Sequence, residues 1–130
     1  MQAISTIKAP AALGPYSQAV MMNDALFVSG QLGIEAETGN FGEGFEAQAN
    51  LVFANLKAIL EAAGMSFRDV VKVSVFLKDM NDFAALNEIY ARNFSAPFPA
   101  REAIQVARLP KDGLVEISVN SRNCAKGRVR

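Results

Sequence analysis

The stretch FEAQANLVFANLKAILEAAG, residues 45–64, followed shortly by VVKVSVFLKD, residues 70–79, decides the fold of this 130-residue chain. The first segment repeats apolar residues at helical spacing and ends at Gly64, a residue type that commonly terminates helices. The second segment alternates and is rich in β-branched residues, which is typical of a strand. The apolar stripe predicted for the helix comprises Phe45, Ala49, Val52, Leu56, Ile59, Leu60 and Ala63. This change of period predicts a helix that packs on a sheet.

The segments on either side extend the pattern. MNDFAALNEIYARNF, residues 80–94, is predicted to form a second helix with Asp79 as its cap. SQAVMMN and ALFVSGQLG flank Asn23-Asp24, which predicts a β-hairpin. Two more strands are predicted near REAIQVA and LVEISVN. These five strands and two helices predict an α+β fold in which both helices pack on one face of the sheet, which we expect to have six strands.

Side-chain alternation in the last two strands leads to a further prediction. If the aliphatic residues face the helices, Ile104 and Val106 lie on that side and Arg101 lies on the other. The same rule directs the aliphatic positions of residues 115–119 toward the helices and Glu116 away from them. Arg101 and Glu116 are therefore expected to project from the same face of the sheet.

The sheet face without helices is expected to take part in self-association. The segment VVKVSVFLK carries apolar residues on both faces, and the helices cover only one of them. Exposed apolar surface of this kind favours an oligomer over a bare monomer. A pocket lined by Arg101 and Glu116 would then form where subunits meet.

Composition limits the class of protein. A length of 130 residues, 51% of them hydrophobic, predicts one domain. The 13 basic and 13 acidic residues cancel, so the net field that draws proteins to nucleic acid or anionic lipid is missing. The segment RNCAKGRVR, residues 122–130, is expected to be a solvated polar tail. No membrane span or signal peptide is recognisable, which predicts a cytoplasmic location.

The absence of histidine restricts the available chemistry. With no imidazole and a single cysteine, Cys124, the chain has no ordinary Ser-His-Asp triad, no His-based metal site and no cysteine cluster. Catalysis would have to use arginine, carboxylates, tyrosine, lysine, serine and backbone groups. We therefore expect neither a metal nor a cofactor.

Several motifs together resemble the RidA/YjgF family, the reactive intermediate deaminases, also known as L-PSP endoribonucleases. The similarity covers nearly the whole chain, and its specificity comes from the combination of motifs. The motifs are APAALGPYSQAV, FVSGQLG, NLKAILEAAG, DVVKVSVFLKDMNDFAALNEIY, FPAR and VARLPKDGLVEI.

The resemblance implies a chorismate-mutase-like α+β fold with a mixed sheet, assembled as a homotrimer with three active sites between subunits. It implies hydrolysis of short-lived 2-imino or enamine acids to 2-keto acids and ammonia. Arg101 would clamp the substrate carboxylate, and Glu116 would position or activate the attacking water. The residues implied to contact the substrate are Tyr16, Ser29, Gly30, Asn87 and Ala103.

Two positions beside the arginine depart from the pattern of many family members, which have a small or cysteine-containing pair there. This chain has Glu102 and Ala103, so the thiol of the deaminase subgroup is absent. If the position acts through its backbone, Ala103 has no effect; if the thiol matters, activity falls or substrate choice shifts. Strand parity directs Glu102 away from Arg101, unless a bulge turns it inward.

Each candidate residue also has a simpler interpretation. Without the resemblance, Arg101 is a rim residue in an ion pair, and Glu116 is a solvated strand carboxylate. Tyr16 is a packed turn residue, Ser29 is a strand-end hydroxyl, and Asn87 is a solvent-facing helix residue.

Three functions follow from these observations. The first is deamination of small 2-imino acids. The second is a non-catalytic trimeric sensor or chaperone-like module that holds a small carboxylate on Arg101. An endoribonuclease ranks last, because the chain is neutral, lacks a histidine pair for acid-base cleavage, and shows no base-stacking aromatic stripe. The expected partners are a small carboxylic acid and other copies of the chain, rather than nucleic acid or membrane.

Overall fold

The computed structural model describes residues 1–124, which form one six-stranded sheet and two α-helices. The α+β arrangement predicted from the sequence is confirmed. The strands are β1 (Gln2–Ile4), β2 (Ala19–Met22), β3 (Ala25–Leu32), β4 (Val70–Leu77), β5 (Ala100–Gln105) and β6 (Val115–Arg122), and the helices are α1 (Gly44–Ala62) and α2 (Phe83–Asn93). Strand β1 has only three residues, too few for its alternation to be recognised in the sequence.

The sheet is mixed and has the order β1-β2-β3-β6-β4-β5. Strands β4 and β5 are parallel, and all other neighbours are antiparallel. Strand β6 lies at the centre, where it pairs with β3 on one side and β4 on the other. The predicted hairpin connects β2 and β3 through Asn23-Asp24, and Asn23 adopts the left-handed φ of 56° that asparagine tolerates in turns.

Helix α1 contributes much of the core. Its predicted stripe faces the sheet, with Phe45 and Ala63 partly buried and the other five residues buried. Gly64 follows the helix with a φ of 74°, as expected for a helix end. Two buried amide side chains of α1, those of Gln48 and Asn55, were not predicted as core residues. The side chain of Asn55 donates to the carbonyl oxygens of Leu32 and Ile34, so it fixes the chain at the end of β3.

Close contact between α1 and the end of β3 depends on Gly33. A Cβ atom at this position would lie 2.5 Å from the Cα, the Cβ and the carbonyl oxygen of Gln48. Gln48 is itself fixed, because its side-chain oxygen accepts a hydrogen bond of 2.9 Å from the backbone N–H of Leu114. Backbone therefore meets backbone at this crossing, and no side chain fits between.

Helix α2 covers the part of the sheet near β5. It is preceded by a short 3₁₀ helix, Met80–Asp82, and the carboxylate of Asp79 accepts a hydrogen bond from the N–H of Asn81 at its start. Tyr90 of α2 packs with Phe53 of α1 and with Phe94 in an aromatic cluster. This cluster joins the two helices on one face of the sheet.

The prediction that Arg101 and Glu116 share a face of the sheet is wrong. Arg101 is the register partner of Val73, whose side chain is buried beneath the helices, whereas Glu116 and Ile104 are both partners of Phe76 on the other face. Strand β5 is an edge strand on which the aliphatic Ile104 is exposed. The cause is α2, which presents aromatic and amide groups that accommodate a guanidinium on the helix side.

The sheet face opposite the helices is open in the single chain. Phe27 and Ile104 on this face are 45% and 48% exposed, and Phe76 is half-buried. Within residues 1–124, no helix combines the length and apolarity needed to cross a bilayer. Residues 125–130, most of the predicted polar tail, lie outside the described part of the chain.

Candidate active site

Glu116 lies in a cavity of about 760 Å³ between the N-terminal loop, the end of β3 and the loop before β6. The cavity also receives the predicted contact residues Tyr16, Ser29 and Gly30. Its wall is largely aliphatic, with Lys111 at one side, and Lys111 was not predicted from the sequence. The aliphatic part of the lining includes Leu13, Leu32 and Ile34.

A β-bulge brings Gly30 against Glu116. The register between β3 and β6 shifts between Val28 and Gln31, so β3 contains one extra residue there. A Cβ atom on Gly30 would lie 2.8 Å from the Cδ carbon of Glu116, closer than a side chain allows. Glycine at this position is therefore what lets the carboxylate lie along the bulged strand.

The N-terminal loop is attached to this bulge by hydrogen bonds. The hydroxyl of Ser29 donates to the carbonyl oxygen of Ser17 at 2.6 Å, and the Ser29 N–H donates to the carbonyl oxygen of Gln18 at 2.9 Å. The buried side chain of Gln18 accepts from the N–H of Thr6 and donates to the carbonyl oxygen of Pro10. These bonds fix the loop that carries Tyr16, whose ring is exposed at the mouth of the cavity.

Burial raises the pKa of Glu116 above the ordinary range of a glutamic acid. The cause is desolvation of the charged form in a cavity with an aliphatic wall. A carboxylate with a raised pKa is a stronger base than an exposed one. Glu116 thus has the properties of a residue that accepts a proton from water.

The raised pKa predicts how the stability of Glu116→Gln depends on pH. The contribution of Glu116 to wild-type stability is fully present below its unfolded-state pKa and is lost as the pH rises through the higher folded-state pKa, because ionisation in the cavity is unfavourable. The variant lacks this loss, so its free energy of unfolding, relative to wild type, increases from acid to neutral pH. Urea unfolding at a series of pH values measures this difference.

The matched control for that titration is Glu102→Gln, at an exposed site on β5. A hydrogen bond from Ser74, then one from Lys72, lower the pKa of Glu102, so wild type loses stability as the pH falls through that lowered pKa. The two variants should therefore show opposite slopes. A difference for Glu116→Gln that does not change with pH would contradict the burial of its ionised form.

Arg101 lies in a separate arrangement on the helix side of β5. Its Nη1 donates a hydrogen bond of 2.8 Å to the side-chain oxygen of Asn87, so this predicted residue does approach the arginine. The guanidinium carbon lies 5.2 Å from the ring centroid of Phe83 and 4.7 Å from that of Tyr90. Phe83 and Tyr90 were predicted as residues of the second helix and not as site residues. Their spacing with Asn87, at i, i+4 and i+7, was the available signal for a shared face.

The neighbours of Arg101 alternate as strand geometry requires. Ala103 lies on the same face as Arg101 and is partly buried against the core. Glu102 points to the other face, where it accepts hydrogen bonds from the hydroxyl of Ser74 and, at 3.1 Å, from Lys72. The prediction that Glu102 points away from Arg101 is confirmed, and no bulge turns it inward.

The predicted site residues thus form two groups in one chain. Tyr16, Ser29 and Gly30 accompany Glu116, while Asn87 and Ala103 accompany Arg101 on the opposite face of the sheet. Within residues 1–124 there is no cluster of three or more acidic, histidine or cysteine side chains suited to a metal ion.

Proteins of known sequence and structure match most of this chain. A sequence model of the family described as "Endoribonuclease L-PSP" matches residues 6–122. The crystal structure of RidA from an Antarctic Psychrobacter bacterium superimposes with a TM-score of 0.92 at 56% identity, covering 94% of this chain and 99% of that chain. The chain belongs to the RidA/YjgF family. The family membership predicted from the motifs is confirmed.

Two further RidA/YjgF relatives are informative. A 2-iminobutanoate/2-iminopropanoate deaminase of Capra hircus is 50% identical over 115 residues, which cover 88% of this chain and 84% of that protein. The crystal structure of E. coli TdcF with bound serine has a TM-score of 0.91 at 42% identity and covers 95% of this chain and 99% of that chain.

Proposed function

We propose that this RidA/YjgF family member hydrolyses 2-imino acids and their enamine tautomers, such as 2-aminoacrylate, 2-iminopropanoate and 2-iminobutanoate. Water adds its oxygen to the imine carbon, the carbon–nitrogen bond breaks, and nitrogen leaves as ammonia carrying both hydrogens of the water. The remaining product is a 2-keto acid. An imine carbon is already electrophilic, so the reaction needs mainly an oriented water and a fixed substrate.

Relatives that are about half identical to this chain are named 2-iminobutanoate/2-iminopropanoate deaminase. These names confirm the enzyme class predicted from the sequence. In this chain, the assignment rests on two groups of residues, one around Arg101 and the other around Glu116. We call each group a half-site, because one substrate molecule would need both. Asn87 accepts a hydrogen bond from one amino group of the Arg101 guanidinium. The remaining N–H donors of the guanidinium can bind a substrate carboxylate. The serine bound in TdcF is a small molecule with such a carboxylate.

Glu116 is assigned to the attacking water. Its carboxylate is half-buried, its pKa is raised by desolvation, and it lies against the glycine of the bulge. The nearby backbone at Gly30 and the hydroxyl of Tyr16 would contact the imine end of the substrate. Ala103, on the face of Arg101, would contact the substrate through its backbone, which is consistent with the absence of a thiol there.

The complete site requires a second copy of the chain. Arg101 and Glu116 lie on opposite faces of one sheet, so one small substrate cannot contact both in a single chain. The open sheet face, with exposed Phe27 and Ile104, is an apolar surface suited to association. We propose a homotrimer in which Arg101 of one subunit and Glu116 of its neighbour form each of three sites. The cytoplasmic location stays a prediction.

The test is acceleration of imine hydrolysis. A serine-cleaving dehydratase generates 2-aminoacrylate in place, and the rates of pyruvate and ammonia release are followed with and without the protein. The native chain should accelerate release, Arg101→Ala and Glu116→Gln should abolish the acceleration, and Glu102→Gln should retain it. The last variant makes the same chemical change as Glu116→Gln at an exposed position beside Arg101.

Two outcomes would replace this proposal by one of the alternatives. Binding of 2-oxobutanoate without acceleration of any imine would indicate the carboxylate-holding module. The family description names an endoribonuclease, and RNA binding that weakens steeply with salt would favour that activity. The equal numbers of acidic and basic residues and the absence of histidine place it last.

A further inference from the structure

One face of helix α2 forms a support for the guanidinium of Arg101. Phe83, Asn87 and Tyr90 lie on this face, and all three contact the arginine. The two rings attract the cation through their negative faces, while Asn87 accepts a hydrogen bond from one amino group. The side chain of Arg101 is exposed, and an exposed arginine without such contacts samples many rotamers.

Tyr90 is held rigidly by the core. Its ring packs edge-on against Phe53 at 6.2 Å and tilted against Phe94 at 4.5 Å, and only 6% of the residue is exposed. Its buried hydroxyl has no hydrogen-bond partner within residues 1–124. A buried hydroxyl without a partner does not stabilise the fold, so the contribution of Tyr90 comes from its ring.

We infer that Tyr90 and Phe83 are positioning residues that hold Arg101 ready for the substrate carboxylate, and that the ring of Tyr90, not its hydroxyl, provides this effect. The inference rests on the proposed role of Arg101. It assigns to α2 a contribution to substrate affinity, because fixing the guanidinium before binding removes part of the ordering cost of the complex.

The decisive comparison is between Tyr90→Phe and Tyr90→Leu. The phenylalanine keeps the ring, so affinity for 2-oxobutanoate and KM for the imine should stay at wild-type values. The leucine removes the ring, and we expect both the Kd of 2-oxobutanoate and KM to rise about tenfold, equivalent to about 1.4 kcal/mol. The value of kcat should change by less than about twofold, since uniform binding is lost rather than transition-state binding.

Phe67→Leu is the matched control. Phe67 packs in the same aromatic cluster, 6.1 Å from the ring of Phe53 and 5.1 Å from that of Phe94, but within residues 1–124 it makes no ring contact with Tyr90 and no cation contact with Arg101. This variant should lose stability without losing affinity. An equal loss of affinity in Phe67→Leu would overturn the inference, because the effect would then arise from the core in general.

An NMR measurement decides the question without substrate. The Nε–H resonance of Arg101, assigned by its loss in Arg101→Lys, should carry a ring-current shift in wild type and Tyr90→Phe that is reduced in Tyr90→Leu. An unchanged shift in Tyr90→Leu would overturn the inference. If wild type neither binds 2-oxobutanoate nor accelerates imine hydrolysis, the proposed function fails, and this resonance still tests the positioning. Should Tyr90→Leu fail to fold, the half-buried Phe83→Leu takes its place.

Discussion

A mixture of Arg101→Ala and Glu116→Gln subunits should recover imine hydrolysis that neither variant shows alone. Each variant loses one half-site and keeps the other, because Arg101 and Glu116 lie on opposite faces of the sheet. Loss of a bidentate contact with a carboxylate should lower kcat/KM about a hundredfold in Arg101→Ala, since charged hydrogen bonds contribute up to about 3 kcal/mol. We expect a similar or larger loss in Glu116→Gln.

The activity expected of the mixture follows from random assembly of the two variants into trimers. In trimers formed at random from equal amounts of both variants, about a quarter of the sites combine an intact Arg101 with an intact Glu116. The mixture, unfolded and refolded together, should therefore have about a quarter of the wild-type activity, measured as pyruvate release from 2-aminoacrylate.

The control mixture combines Arg101→Ala with the double variant Arg101→Ala/Glu116→Gln. No subunit in this mixture has Arg101, so the mixture should remain inactive after the same treatment. If the first mixture also stays inactive although both variants refold, Arg101 and Glu116 do not meet between subunits, and the proposed assembly of the site is wrong.

Gly33→Ala should be the most destabilising glycine-to-alanine substitution among the glycines of residues 1–124. The added Cβ would lie 2.5 Å from backbone and Cβ atoms of Gln48, so the clash can be relieved only by moving α1 from the sheet. Overpacking usually costs about 1 to 3 kcal/mol, and a contact with backbone should fall at the upper end. Urea unfolding at fixed protein concentration should show a lower midpoint with an unchanged slope.

Gly39→Ala separates steric clash from backbone conformation. Gly39 has a left-handed φ of 75° with nothing within 4 Å of the Cβ position, so alanine there should cost only about 1 kcal/mol. Equal losses in the two variants would show that α1 adjusts without cost and that the close contact at Gly33 is unimportant.

Elements with a strong period were predictable from the sequence. The apolar stripe of α1 and the alternation of β4 and β6 depend on a buried face, and burial imposes the period. The turn at Asn23-Asp24 and the end of α1 at Gly64 were predictable because few residue types tolerate their backbone conformations.

The orientation of β5 was not predictable by the same rule. At the edge of a sheet, the helix above the strand decides which face is favourable, and here α2 offers Phe83 and Tyr90 to a cation. Ile104 therefore faces the open side despite its aliphatic side chain. The bulge at Ser29 and Gly30 was also not predictable, because an extra residue in one strand can be recognised only when the register with its partner strand is known.

The residues of the candidate site were named through the family resemblance, and their division into two groups came from the topology. The face that Arg101 takes depends on the packing of α2 beside β5, which the alternation of residues 100–105 does not reveal. The expectation of a pocket between subunits stays a prediction.

The central place of β6 has a consequence for biosynthesis. Strands β1 to β3 and strands β4 and β5 pair with each other only through β6 within the described residues. A nascent chain that has emerged from the ribosome only as far as residue 114 therefore exposes the edges of β3 and β4, both ready for pairing with other chains. This exposure ends when β6 inserts between its two neighbours.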